Sequence, residues 1–206
     1  MRSYARNLAT QASLETIAAD MQANEPKKMD TDTVSSYISA LAKLFVVEES
    51  KAWNPNLRSK TAIRTSNTRY YTDPSIGTAS LSIGPKDLEN DLNTFGYFFE
   101  TLAIRDLRTY AEALMGEVAH YRDADKLECD AVVHLRDGRY GLIEIKLGGE
   151  ALIKEGVKSL TALKNKLDTT KMNKPSFLMV LTGVGSIAYR RPEDGIYVVP
   201  IGCLKP

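Results

Sequence analysis

The chain has 206 residues, of which 43% are hydrophobic and 26% are charged, a composition typical of a folded globular protein. The 27 Lys and Arg residues balance 26 Asp and Glu residues to a net charge of +1, which excludes a globally basic nucleic-acid binder. No segment approaches the roughly 20 apolar residues of a membrane span, and two cysteines do not make a disulfide framework. We therefore expect a cytoplasmic protein that does not enter membranes.

The N-terminal part of the sequence predicts helices followed by a pair of strands. Residues 13–21 carry apolar side chains at helical spacing, and a second helix is expected after residues 30–33, any of which could cap it. Residues 44–50 predict a strand, and residues 68–73 predict its return. Two short helices and a hairpin outline a winged helix, so we expect a winged-helix-like segment over residues 1–74.

The loop between these two strands, residues 51–69, contains five basic residues and no acidic one. One interpretation is a wing that contacts nucleic-acid phosphates. The other is a solvated loop, held by Trp53, that faces a partner domain. The acidic residues at the start of the second helix count against DNA contact, because a recognition helix usually offers Lys or Arg there. The candidate nucleic-acid-binding residues are Arg58, Lys60, Arg64 and Arg69.

The second half of the sequence has a different organisation. Residues 75–90 are rich in turn formers and are expected to be a linker. Residues 91–206 predict a long helix, three strands, an amphipathic helix and two further strands. The predicted fold class is therefore α+β, with an αβββαβ domain after the linker.

The hairpin expected around Asp137 and Gly138 decides which side chains meet, because side chains alternate between the faces of a strand. A two-residue turn would set Asp130 against Ile145 and mix the apolar and polar faces. A three-residue loop at residues 136–138, with Gly138 in the left-handed conformation, sets Asp130 opposite Glu144. We predict the three-residue loop.

This register would place two carboxylates and Lys146 at one end of a sheet face. Directly opposite Cβ atoms lie about 4.5–5.5 Å apart, and two carboxylates at that distance repel unless a cation or a proton lies between them. A divalent metal with a charge-stabilising lysine suits such a group. The alternative is structural: Glu128 would pair with Lys146 across the strands, and Glu144 with another basic residue.

The pattern of Asp130, followed at a distance by Glu144-Ile145-Lys146 and preceded by a long helix with a glutamate, resembles the PD-(D/E)XK restriction-endonuclease-like core. The stretch from Gly96 to Gly149 more closely resembles the uncharacterised region C-terminal to the ATPase module of bacterial and archaeal AAA-type ATPases. In those proteins a winged helix lies between the ATPase module and this region. By this resemblance Asp130 and Glu144 are metal ligands, the Ile145 carbonyl is a third ligand, Lys146 is the catalytic lysine, and Glu100 is the helix carboxylate. The implied cofactor is Mg²⁺ or Mn²⁺.

The resemblance also implies partners. The chain would be the C-terminal part of a longer ATPase, with the N-terminal ATPase domain as its partner, DNA as a further partner and the homo-oligomeric state left open. No G-x-x-x-x-G-K-[ST] motif is present, so no ATPase activity is expected from these residues themselves. Two functions stay open: a metal-dependent nuclease, and an inactive module that helps the attached ATPase to assemble or to bind a partner.

Overall fold

The computed structural model describes residues 1–23, 29–55 and 66–205. Its mixed helices and sheets confirm the α+β class. The described chain divides into two compact units, the first formed by residues 1–23, 29–50 and 66–102, and the second by residues 51–55 and 103–205. Each unit is a separate arrangement of helices around a sheet.

Over its described residues, the first unit contains five helices, the first half of a sixth and a two-stranded sheet. Side-chain caps start its second and third helices: the Ser13 hydroxyl accepts a hydrogen bond from the Thr16 amide, and Asp30 accepts one from the Thr33 amide at 2.7 Å. Of residues 30–33, any of which was expected to be able to cap this helix, Asp30 is therefore the one that caps it. The elements are α1 (Arg2–Arg6), α2 (Leu14–Gln22), α3 (Thr31–Lys43), β1 (Val47–Ser50), β2 (Thr68–Tyr71), α4 (Pro74–Leu81), α5 (Pro85–Asn90) and the first half of α6 (Leu92–Ala113).

The two strands of the first unit pair antiparallel, as predicted, with Glu49 opposite Arg69. The core beneath them is built from α1, α2, β2 and α6. Its largest fully buried side chains include Leu8, Ile17 and Tyr71. Burial of these apolar and aromatic groups is the main source of stability for this unit.

The segment expected to be a linker, residues 75–90, contains two helices instead. Asp73 caps α4 by accepting a hydrogen bond from the Ser75 amide, and Pro74 occupies the first turn. Pro85 begins α5 in the same way. Proline is tolerated in the first turn because its missing N–H would have no helical partner there, so these two prolines mark helix starts and not turns.

The long helix expected at the start of residues 91–206 is α6, and a break separates it from α5. Asp91 leaves the helical conformation between α5 and α6, and its carboxylate accepts a hydrogen bond from the Thr94 amide. An aspartate that accepts this bond caps a new helix.

The second unit contains a six-stranded mixed sheet with a helix on each face. Its strand order is β3-β4-β5-β6-β8-β7, with β5, β6 and β8 parallel and the other neighbours antiparallel. The second half of α6 packs on one face, and α7 packs on the other. The elements that follow α6 are β3 (Gly116–Arg122), β4 (Glu128–Leu135), β5 (Tyr140–Lys146), α7 (Glu150–Lys166), β6 (Phe177–Thr182), β7 (Tyr189–Arg190) and β8 (Tyr197–Pro200). The short strand β7 was not predicted.

Residues 51–53 extend this sheet at its β3 edge. The Lys51 carbonyl accepts a hydrogen bond from the His120 amide, and the Trp53 amide donates one to the His120 carbonyl at 2.6 Å. The Trp53 ring packs against Tyr121 and Tyr140 in the core of the second unit. The start of the basic loop is therefore anchored by Trp53, as one of the two interpretations expected.

Candidate active site

The β4–β5 hairpin has the register that the sequence predicts. Ala131 pairs with Ile143 and His134 with Tyr140, so residues 136–138 form a three-residue loop in which Gly138 has a φ of 85°. Continuing this register by one residue places Asp130 opposite Glu144 on the face that α7 covers. The prediction of the loop and of the two strand faces is confirmed.

The strand ladder ends where the acidic residues begin. The last printed β4–β5 pair is Ala131 with Ile143, and beyond it the Ile145 amide donates to the Asp130 carboxylate at 2.7 Å. In a continued ladder that amide would face the backbone of Cys129. The Asp130 side chain has therefore replaced a backbone acceptor, which fixes the carboxylate against β5.

Lys146 lies among three carboxylates. Its Nζ atom is 3.0 Å from Oε2 of Glu144, 3.9 Å from Oδ2 of Asp130 and 3.9 Å from Oε1 of Glu155. Glu128, the cross-strand partner of Lys146 in the structural alternative, forms its ion pair with Arg122 at 3.0 Å. We call Asp130, Glu144 and Lys146 the acidic site.

Burial and mutual repulsion disturb the protonation of this site. Only 4% of the Glu144 side chain is exposed, and this burial together with the nearby Asp130 charge raises the pKa of Glu144 to about 8. Burial likewise raises the pKa of Asp130. Burial lowers the pKa of Lys146, but the two carboxylates raise it by more, so the lysine stays charged.

Helix α7 covers the site, and it packs against the sheet at Gly156. A Cβ atom added to Gly156 would lie 3.2 Å from the Glu144 Cβ and 3.2 Å from a methyl group of Val180. The absence of a side chain lets the helix backbone approach β5 and β6 closely. Glu155, the residue before this glycine, is consequently held beside Lys146 although 64% of its side chain is exposed.

The donor atoms suit a divalent cation that keeps several water or phosphate ligands. Mg²⁺ is commonly held by one or two carboxylates, with water and substrate phosphate completing its shell. Within the described ranges no group of three or more His, Cys, Asp or Glu side chains is arranged to hold a metal. A cation here would rest on Asp130 and Glu144, and it would offset the repulsion that raises their pKa values.

The other predicted site residues lie in different places. Glu100 belongs to the first unit, where its Oε1 accepts a hydrogen bond from the Tyr70 hydroxyl at 2.6 Å. Its assignment to the acidic site stays a prediction. Arg58, Lys60 and Arg64 lie outside the described residues.

Arg69 is described, and it has partners inside the first unit. Its guanidinium donates to Glu49 at 2.6 Å and to the Ala12 carbonyl at 2.7 Å, and only 9% of the residue is exposed. These bonds hold β2 to β1 and to the segment before α2. These hydrogen bonds give Arg69 a structural role within the first unit, and its contact with nucleic acid stays a prediction.

Sequence reasoning missed Glu155. Its position depends on where α7 crosses the sheet, and the only signal in the sequence is the neighbouring glycine in an otherwise regular amphipathic helix. A glycine inside a helix costs about 1 kcal/mol relative to alanine, so it indicates a close packing contact.

The structure and the site define an α+β chain with a buried carboxylate pair and a lysine on one sheet face. The chain belongs to the family described as a domain of unknown function, DUF4143, which matches residues 95–204 and is known as an ATPase-associated region. Residues 1–87 match a second domain of unknown function, DUF8612. Neither a curated protein nor a solved structure matched the chain. In the described part of the chain, no helix is both long and apolar enough to cross a membrane.

Proposed function

We propose that the second unit is a PD-(D/E)XK-like nuclease domain that hydrolyses phosphodiester bonds of DNA with a divalent metal. The observation that carries this proposal is the assembly of Asp130, Glu144 and Lys146 on one covered sheet face. The order α6, β3, β4, β5, α7, β6 supports it, since it is the αβββαβ order of that fold. Keeping two carboxyl groups together in a buried place costs stability, which is typical of a functional site.

The residues of the site have separable roles in this reaction. Asp130 and Glu144 would hold Mg²⁺ or Mn²⁺, and the Ile145 carbonyl is the third ligand that the resemblance adds. The metal supplies charge stabilisation for the phosphate under attack and lowers the pKa of bound water. The Ile145 amide orients Asp130, Lys146 offers a positive charge to the phosphate oxygens, and α7 keeps bulk water from Glu144.

We further propose that this region serves a longer cytoplasmic AAA-type ATPase. Membership of an ATPase-associated family supports that context. The first unit would be a winged-helix-like module; its three helices and hairpin support this, as does the basic loop that follows β1. DNA contact through that loop and homo-oligomer formation belong to the same proposal.

A second candidate function is an inactive module for ATPase assembly. The contact between Lys146 and Glu144 favours it, because a lysine 3.0 Å from a buried carboxyl group gives that group a polar partner without a metal. In that case the module would need neither DNA nor a metal for its function.

A nuclease assay separates these functions. Linear single-stranded and duplex DNA would be incubated with the chain in Mg²⁺, in Mn²⁺ and in EDTA, together with Glu144→Gln and Lys146→Met. Glu128→Gln is the matched control, since it changes an exposed carboxylate of the same hairpin that pairs with Arg122. We expect metal-dependent cleavage that falls at least about 100-fold in the two site variants and is kept in the control. Cleavage that survives Glu144→Gln, or wild-type protein that cuts neither DNA, would refute the nuclease.

A further inference from the structure

The acidic site lies in a row of side chains that ends at an exposed tyrosine. Glu144 pairs with Val180 on β6, Val180 pairs with Val198 on β8, and Val198 pairs with Tyr189 on β7. Directly paired residues point to the same sheet face. Tyr189 therefore belongs to the face of Glu144, three strand spacings or roughly 14 Å away.

The segment that carries Tyr189 begins at the acidic site itself. The Gly183 amide donates to the Lys146 carbonyl at 3.2 Å, and Val184 packs so closely on Gly148 that no Cβ would fit there. The Thr182 hydroxyl, which is buried, bonds to the Val184 carbonyl at 2.9 Å. Residues 183–190, which we call the edge loop, are thus fixed to the end of β5 while their side chains stay exposed.

The exposed side chains of the edge loop are apolar, aromatic and basic. Val184 is 64% exposed, Ile187 is 74% exposed and Tyr189 is 49% exposed, so this short loop carries three exposed apolar or aromatic side chains. Residues 183–191 contain two arginines and no acidic residue. Of these, Arg191 is paired with Asp194 and Glu193, whereas Arg190 lies over the Tyr197 ring on the opposite sheet face.

We propose that Tyr189 is a stacking platform for an unpaired base and that the acidic site consequently acts on single-stranded nucleic acid. This inference rests on the proposed nuclease function. A half-exposed aromatic ring beside exposed apolar side chains can hold a single strand, because every base offers a face for stacking. A duplex buries those base faces in its own stack, so the ring would gain nothing from it.

The test is a binding measurement under conditions that do not allow turnover. Fluorescence anisotropy of a labelled oligothymidine and of a labelled duplex would be followed with Ca²⁺ in place of Mg²⁺. The variants are Tyr189→Ala, Tyr189→Phe and the matched control Tyr197→Ala, which removes a tyrosine of similar exposure (40%) from the other face of the same hairpin. Cleavage by each protein would be measured in parallel with Mg²⁺.

We expect Tyr189→Ala to weaken single-strand binding about 5- to 100-fold, while Tyr189→Phe and Tyr197→Ala bind as wild type. Duplex binding should not change in any variant. If the wild type cleaves DNA but Tyr189→Ala binds single strands normally, the stacking platform is refuted and the nuclease stands. An equal loss in Tyr197→Ala, or an equal loss on duplex, would also overturn it. If wild type neither binds nor cleaves, both proposals fall.

Discussion

Replacing Glu144 by glutamine should change how the stability of the protein depends on pH. The carboxyl group has an ordinary pKa of 4.5 when exposed and a pKa of about 8 in the folded chain, because it is buried beside Asp130. The folded state therefore binds this proton more tightly than the unfolded state does. Such a group supports the fold fully below pH 4.5, and that support is lost as pH rises to about 8.

The size of the effect follows from the separation of the two pKa values. Each pKa unit corresponds to about 1.4 kcal/mol, so a separation of about 3.5 units sets a ceiling of about 5 kcal/mol. The pKa of Asp130 is raised as well, so part of the proton binding stays when Glu144 is replaced, and the part that disappears with Glu144 is about 2–5 kcal/mol.

The assay is urea unfolding of wild type and Glu144→Gln at intervals from pH 5 to pH 9. The difference in unfolding free energy, wild type minus variant, should fall by about 2–5 kcal/mol between pH 5 and pH 8 and then level off. Glu128→Gln serves as the control, since its exposed ion pair should leave the profile unchanged within about 0.5 kcal/mol. Parallel profiles for wild type and Glu144→Gln would show that the buried carboxyl groups do not repel as described.

Three further predictions concern packing and metal binding. Gly141→Ala should lower the unfolding free energy by about 1–3 kcal/mol, because the added Cβ would clash with the Phe177 ring. Adding Phe177→Leu should restore much of this loss. An unaltered urea midpoint for Gly141→Ala would contradict the close contact. Arg69→Ala should cost about 1–3 kcal/mol, since it leaves the Ala12 carbonyl without its side-chain donor and Glu49 with the Asn67 amide as a remaining donor. A thermal shift below one degree would argue against that role. Mn²⁺ should bind more tightly as pH rises toward about 8, and its binding should release protons. Calorimetry in two buffers of different ionisation enthalpy measures the number of protons released. Binding without pH dependence would contradict the raised pKa of Glu144.

The sequence predicts the hairpin of the acidic site because the number of loop residues, odd or even, decides which side chains share a sheet face. Only an odd number of loop residues keeps Glu144 on the polar face and Ile145 on the apolar one, and Gly138 supplies the left-handed conformation that a three-residue loop needs. A helix cap is local in the same way: Asp30, one of the four residues expected to cap the second helix, accepts a hydrogen bond from the amide of Thr33 three residues away.

Features that depend on distant parts of the chain are not visible in the sequence. The helices α4 and α5 are not visible in the sequence, because Pro74 and Pro85 are as typical of turns as of a helix's first turn. In the structure each proline starts a helix, and the residue before it caps that helix or closes its first turn. Glu155 joins the acidic site only through the crossing of α7 over β5. Tyr189 joins the row of Glu144 through three successive strand pairs, the last of them with a strand of two residues.

The central claim is that Asp130 and Glu144 hold a divalent metal for reaction with a phosphodiester. Calorimetric titration of Mn²⁺ into wild type and into Asp130→Asn, each saturated with a cleavage-resistant phosphorothioate oligonucleotide, tests it most directly, because the substrate phosphate can then complete the metal shell. Binding in the wild type that disappears in Asp130→Asn is the result that the account predicts. Absence of binding in the wild type, or equal binding in both proteins, would contradict it.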